Sequence, residues 1–358
     1  MKTLVIGGSG FLGSYIVEAL RSANQQVAVL SRNPDSAAAS LPADVAVLPG
    51  DLGELDKAQF AELLAPFDGL VYAAGADERT PPEGDPRDFY FHENVDTCRK
   101  VLIAAAEAGL SHCVILNSIF THLNRSQPQL ELAKHHPYIA SRIAQSEMAI
   151  DVAKGHFTLT VLEVPWVFGD SRGRASQWAP LVHYARSVSP LFCPRGGAIA
   201  ISAENIGRAS LGALLRPHNA EALSLPLGDC TLSWDEMIAQ LAAASGRRNV
   251  HIRRLPDLML QAANTSGALA LAVTGNTGGL DFARMHEFLL LQLDADLDHS
   301  RELLDYERSD IRHALAATVA SVPEPAIARS WRQQVLNRRL RLPIIGRLQH
   351  SEATALAS

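Results

Sequence analysis

The stretch Lys2-Thr-Leu-Val-Ile-Gly7-Gly8-Ser9-Gly10-Phe11-Leu12-Gly13 decides the fold. Residues 4–6 read as an apolar strand that runs straight into a glycine turn. A helix follows, with apolar residues at Phe11, Leu12, Ile16, Val17 and Leu20. Strand, glycine turn and helix in that order set bare backbone N–H groups and a helix N-terminus against a dinucleotide diphosphate. Gly7 allows the tight turn, Gly10 lets the diphosphate approach the backbone, and Gly13 lets the helix pack on the strand. The spacing is G-x-x-G-x-x-G rather than G-x-G-x-x-G.

Outward from this motif, strands and helices alternate. Residues 26–30, 45–48, 69–75, 112–117 and 158–164 read as buried strands, and residues 54–64, 90–108 and 138–154 as helices. Continuous apolar strands between helices indicate a parallel sheet covered on both faces. The expected fold class is α/β, a Rossmann-type doubly wound parallel sheet over residues 1–168, with residues 198–216 returning to it. Residues 169–197 and 217–321 are expected to form a smaller, mainly helical substrate lobe, and residues 322–358 a basic tail. Within that lobe Ser233 and Glu236 have capping-box spacing. Residues 255–273 are apolar but interrupted by Asp257, Gln261 and Asn264, which predicts a buried helix pair rather than a membrane span.

The composition is that of an ordinary globular protein: 358 residues, 47% hydrophobic and 20% charged. A formal charge of −6 gives no reason to expect nucleic acid as a partner. Cys98, Cys113, Cys193 and Cys230 lie far apart, with no metal-ligand spacing, and read as reduced thiols. A first strand beginning at residue 3 argues against a cleavable leader, so the expected location is cytoplasmic. In the tail, arginines between Arg329 and Arg347 surround Leu336, Leu340, Leu342, Ile344 and Ile345. That pattern suits a helix docked on the body or on a second copy in a homodimer; the alternative is a peripheral membrane contact.

The chemistry is written at the strand ends. Sites for NAD usually carry Asp or Glu after the second strand, where this chain has Ser31-Arg32-Asn33. A guanidinium and a hydroxyl can hold a 2′-phosphate, so NADP is expected, with NAD as the alternative. Asp51, followed by Leu52, suits the adenine edge; its other reading is a helix N-cap. Ser118 ends the fifth strand, Tyr138 opens a helix, and Arg142 lies one turn further on the same face. A phenol can protonate a carbonyl oxygen, but its free pKa of about 10 is too high unless a fixed cation lowers it. A hydroxyl such as Ser118 would steady the developing alkoxide.

Taken with Ala73-Ala74-Gly75, Asn94-Val95, Val164-Pro165-Trp-Val167-Phe-Gly169 and residues 298–306, these motifs resemble the extended short-chain dehydrogenases/reductases. That group includes nucleotide-sugar epimerases and dehydratases, 3β-hydroxysteroid dehydrogenases and dihydroflavonol reductases. The resemblance implies that Tyr138 is the catalytic acid/base and Ser118 its partner. It also implies that Ala73, Ala74, Gly75 and Asn94 line the cofactor, with Pro165 and Val167 beside the nicotinamide. The family's Lys is replaced here by Arg142, an exchange that is not conservative. Val164 stands where nucleotide-sugar relatives often have Arg, which weakens the sugar-nucleotide expectation.

Substrate recognition is thinly written. Phe120, Phe168 and Trp178 suit an apolar wall, with plain core as the alternative. Arg172, Arg174 and Arg195 suit either a substrate anion or the surface. His135-His136 reads as part of a loop near the catalytic turn, without the further ligands a metal needs. The expected function is NADP(H)-dependent reduction of a ketone, or oxidation of a secondary alcohol, on a mainly apolar small-to-medium substrate. The alternatives are an NAD-dependent nucleotide-sugar epimerase or dehydratase and a non-catalytic dinucleotide sensor or scaffold.

Overall fold

The computed structural model describes residues 1–187, 189–273 and 278–324. Six apolar runs become β1 (Lys2–Ile6), β2 (Gln26–Ser31), β3 (Ala46–Pro49), β4 (Gly69–Tyr72), β5 (His112–Ser118) and β6 (Thr158–Val164). The short strands β7 (Trp166–Phe168), β8 (Leu191–Cys193) and β9 (Gly197–Ser202) follow, then β10 (Ala222–Pro226), β11 (Cys230–Ser233) and β12 (Ile252–Arg254). Among the described residues, seven strands form one sheet in the order β3-β2-β1-β4-β5-β6-β10. Every pairing in it is parallel.

Side chains that alternate along these strands feed two separate cores, as the period of two requires. On one face Leu4, Ile6, Leu70, Tyr72 and Ile115 pack with Leu64, Leu102, Ala105 and Ala149 of three helices. On the other, Val5, Val71, Val114 and Leu116 meet Ile16, Val17 and Leu20 of the helix Phe11–Ser22, and Ile206, Ala209 and Ala213 of Ala203–Leu215. The strand order reverses between β2-β1 and β1-β4, and the crevice beyond their carboxyl ends is where a ligand fits. A third core, around Phe168, Leu191, Trp234, Leu241 and Leu315, underlies the small sheets β11-β9-β7 and β12-β8.

Three sequence expectations change. The run at 255–273 is a single helix, Asp257–Val273, and its Leu258, Met259 and Leu269 side chains are 79%, 59% and 68% exposed, not buried. The long helix at 90–108 is Pro86–Phe91 and Thr97–Glu107 joined by a π-helical turn, His92–Asp96, whose extra residue turns Asn94 fully inward. Residues 222–226, expected within the substrate lobe, form β10, which joins the main sheet beside β6. There the Ser224 hydroxyl donates to the buried carboxylate of Glu163 (2.6 Å), which also pairs with Arg125 (2.6 Å). The basic tail from residue 325 lies outside the described residues.

Candidate active site

Gly7 sits at φ +81°, and a Cβ there would lie 2.6 Å from the Ala73 carbonyl oxygen. At Gly13 a Cβ would collide with the Gly7 carbonyl oxygen, so the first turn packs on the loop only without a side chain. Gly10 caps the helix with no side-chain hydrogen bond, which leaves the first-turn N–H groups of Phe11 and Leu12 facing the crevice without a side-chain acceptor. Such a cradle fits a dinucleotide diphosphate. From it a cavity of about 850 Å³ extends past Ala73, Ala74, Gly75, Pro165 and Val167 to Ser118, Tyr138 and Arg142.

The three catalytic candidates meet as their spacing predicts. The Tyr138 ring is buried, 5.3 Å from the Arg142 guanidinium carbon, and packs edge-on against Tyr90. Ser118 caps the helix Ile119–Ser126; its hydroxyl accepts from the Phe120 N–H (3.4 Å) and so keeps its own proton to donate. Arg142 is 8% exposed; it donates to the Gln145 side-chain carbonyl (2.9 Å), and its Nε has no partner among the described residues. Burial pushes the Tyr138 phenol above its ordinary value, against the pull of Arg142 and of the Ser118 hydroxyl, while Glu78 adds to the rise. A cation alone was expected to bring the phenol towards neutrality; desolvation outweighs it here.

The other candidates divide. Asn94 is fully buried and does not line the cavity: it bonds both the N–H and the carbonyl of Ala76 and reaches Ser141 (3.0 Å). It shapes the turn after Gly75. Phe168 is fully buried too, stacked at 4.9 Å behind Trp178, whereas Phe120 and Trp178 do line the cavity. Ser31, Arg32, Asp51 and Leu52 stand beyond it at the ends of β2 and β3, where the adenosine end of a dinucleotide would extend. Arg32 is exposed, while the Ser31 hydroxyl turns onto the Asn33 carbonyl (3.1 Å). Asp51 accepts from the Gly53 N–H (3.0 Å), and the helix that follows is capped by Asp56 instead, which removes the N-cap alternative.

Several cavity residues are absent from the sequence expectations. Asp77, Glu78 and Arg79 follow the small-residue turn directly, so strand-end logic applied two residues further would have found them. The wall built by Leu280, Phe282, Met285 and Phe288 lies far away in sequence. It hangs on the catalytic helix by two bonds: the Tyr138 N–H donates to the Gly279 carbonyl (2.9 Å), and the Asp281 N–H donates to His136 Nδ1 (2.9 Å). His136 is fully buried, and desolvation drops its pKa to about 4, so the ring stays neutral and can accept. Arg195 pairs with Asp257 away from the cavity (3.1 Å). Arg174 lines the cavity, but beside the glycine loop and not at the substrate end. Among the described residues no cluster of His, Cys, Asp or Glu could hold a metal ion, and no helix is long and apolar enough to cross a membrane.

The fold is that of the extended short-chain dehydrogenases/reductases. The NAD dependent epimerase/dehydratase family model matches residues 3–187, and the chain belongs to that family. It is 29% identical over 208 residues to a UDP-glucose 4-epimerase of Streptomyces lividans, covering 56% of this chain and 62% of that one. The match to the Azospirillum brasilense enzyme of the same name is 23% over 197 residues, covering 52% and 56%. The chain thus aligns with less than two thirds of the length of these relatives. Among solved structures, UDP-glucose 4-epimerase from Bifidobacterium longum in complex with NAD+ and UDP shares the fold. Its TM-score is 0.65 at 15% identity, over 90% of this chain and 98% of that one.

Proposed function

We propose that this chain is an NADP(H)-dependent oxidoreductase that reduces a ketone, or oxidises a secondary alcohol, on a mainly apolar substrate. The observation that carries this reading is the continuity of one cavity from the glycine loop, past Tyr138, Ser118 and Arg142, into a wall of Phe120, Trp166, Phe282, Met285 and Phe288. Arg79, the cavity-lining cation that a nucleotide-sugar diphosphate could use at that end, pairs with Asp77. Arg32, exposed at the end of β2, supports NADP.

A nicotinamide held along Gly75, Pro165 and Val167 would supply or accept the hydride at the substrate carbon. Tyr138 gives its phenol proton to the carbonyl oxygen in reduction and takes it back in oxidation. Ser118 donates a hydrogen bond to the same oxygen and holds it as charge develops there. Arg142 stabilises the phenolate left behind, and the buried pocket keeps bulk water from screening that pair.

The similarity to UDP-glucose 4-epimerases supports a second reading, an NAD-dependent nucleotide-sugar epimerase. Ser176, Gln177 and Glu78 in the cavity would then bond sugar hydroxyls. The deciding experiment incubates purified protein with NADPH and a panel of apolar ketones, and separately with NAD and UDP-glucose. NADPH consumption with ketones is expected. Conversion of UDP-glucose without net coenzyme change would replace the reductase reading by the epimerase, and coenzyme binding without turnover of either would favour a sensor.

A further inference from the structure

Two arginines from the loop after β7 lie against the positive end of the first helix. Arg174 donates from Nε and Nη2 to the Ser9 carbonyl (2.9 and 2.6 Å) and lines the cavity with Gly10, Phe11 and Leu12. Arg172 donates to the Ser14 carbonyl (3.0 Å) and lies 3.7 Å over the Tyr15 ring, whose hydroxyl donates back to the Asp170 carbonyl (2.9 Å). The loop reverses through Arg172 at φ +51° and Gly173 at φ +79°, which brings both side chains back onto the same helix.

This placement is electrostatically uphill on its own. A helix N-terminus carries positive partial charge, so cations there gain nothing from the dipole. The two guanidinium groups also repel each other: burial and Arg172 both lower the Arg174 pKa. Among the described residues neither arginine is in an ion pair; the nearby Asp170 carboxylate accepts from the Arg172 backbone N–H (2.9 Å) instead. The Arg174 fork has five N–H groups, and its bonds to Ser9 and to the Arg172 carbonyl (3.4 Å) leave one on each Nη uncommitted. An anion seated on the capless first turn would meet these N–H groups and relieve both penalties.

We infer that Arg174, braced by Arg172, is a diphosphate-binding cation that closes the coenzyme site from the loop after β7. The ligand it takes is the diphosphate common to NAD and NADP, which sets it apart from Arg32 and the 2′-phosphate. This rests on the dinucleotide reading of the glycine loop proposed above.

The test is calorimetric titration of NADH and NADPH into wild-type protein, Arg174→Gln, Arg174→Lys and Arg32→Ala, with melting curves of each. Arg174→Gln is expected to weaken both coenzymes by the same factor, roughly 10- to 100-fold for a charge-assisted bond. Arg174→Lys keeps the charge without the fork and should recover part of that loss. Arg32→Ala should change the NADPH-to-NADH ratio, which neither Arg174 variant should do. Binding of both coenzymes within about twofold of wild type in Arg174→Gln overturns the inference. An equal loss in Arg174→Lys overturns it as well, because the effect would then belong to loop packing. Wild-type protein that binds neither coenzyme would sink the dinucleotide reading itself, before any variant is compared.

Discussion

At the glycine-loop end of the cavity, strand, turn, helix cap and close-packing glycine all lie within the first thirteen residues. At the Tyr138 end, the helix that carries the phenol is held to residues 278–282 by the Gly279 carbonyl and by the His136 ring, across more than a third of the chain. The first end is local and stands on backbone geometry. The second is assembled from distant segments and stands on buried polar groups, each needing its partner because desolvation is costly. Damage at the two ends should therefore differ in kind: affinity or folding at the first, chemistry and pH response at the second.

Tyr138→Phe should show the contrast most strongly. Loss of the phenol proton is expected to cut turnover by roughly 10²- to 10⁴-fold while NADPH affinity holds, read by steady-state kinetics beside a coenzyme titration. Turnover near wild type would remove Tyr138 from the mechanism. Gly13→Val should act oppositely, because its side chain would run into the backbone of Gly7 and Gly8. A destabilisation of about 1–3 kcal/mol or more is expected, read as a fall in Tm together with loss of coenzyme binding. Arg32→Ala, at the adenosine end, should weaken NADPH by about tenfold and leave NADH unchanged. Equal weakening of both coenzymes would end its role as a 2′-phosphate contact.

The last effect is a pH response at the Tyr138 end. The folded-state pKa of His136 is depressed to about 4, with burial the main cause; Asp281 opposes the drop, and His135 and Arg284 deepen it. Between there and the ordinary histidine value of about 6.5, the folded protein binds fewer protons than the unfolded chain, so stability rises with pH. The contribution is complete above that ordinary value and is lost as pH falls through about 4. His136→Asn should flatten this part of a melting-temperature profile, and an unchanged profile would free His136 of the role.

Much of the site was legible because its chemistry follows local rules. Tyr138 and Arg142 share a helix face through their spacing, and Ser118 ends a strand whose neighbours are continuous apolar runs. Asn94 was legible as a residue but not as a role, since the π turn that swings it inward leaves no mark in the apolar pattern. Phe168 and Trp178 look alike in sequence, yet one stacks behind the other and only the front ring meets the cavity. The Asp257–Val273 helix looked buried by composition, and its exposed leucines show that composition does not choose which face a helix turns inward.

The sequence by itself determined the nucleotide-binding half, because strand period, glycine sterics and helix spacing act between residues close together in the chain. Only the tertiary structure decided which arginine lies against the glycine loop, which aromatic ring reaches the cavity, and what closes over Tyr138. Those choices depend on contacts between segments far apart in sequence, where burial and hydrogen-bond satisfaction select a partner that no local pattern specifies.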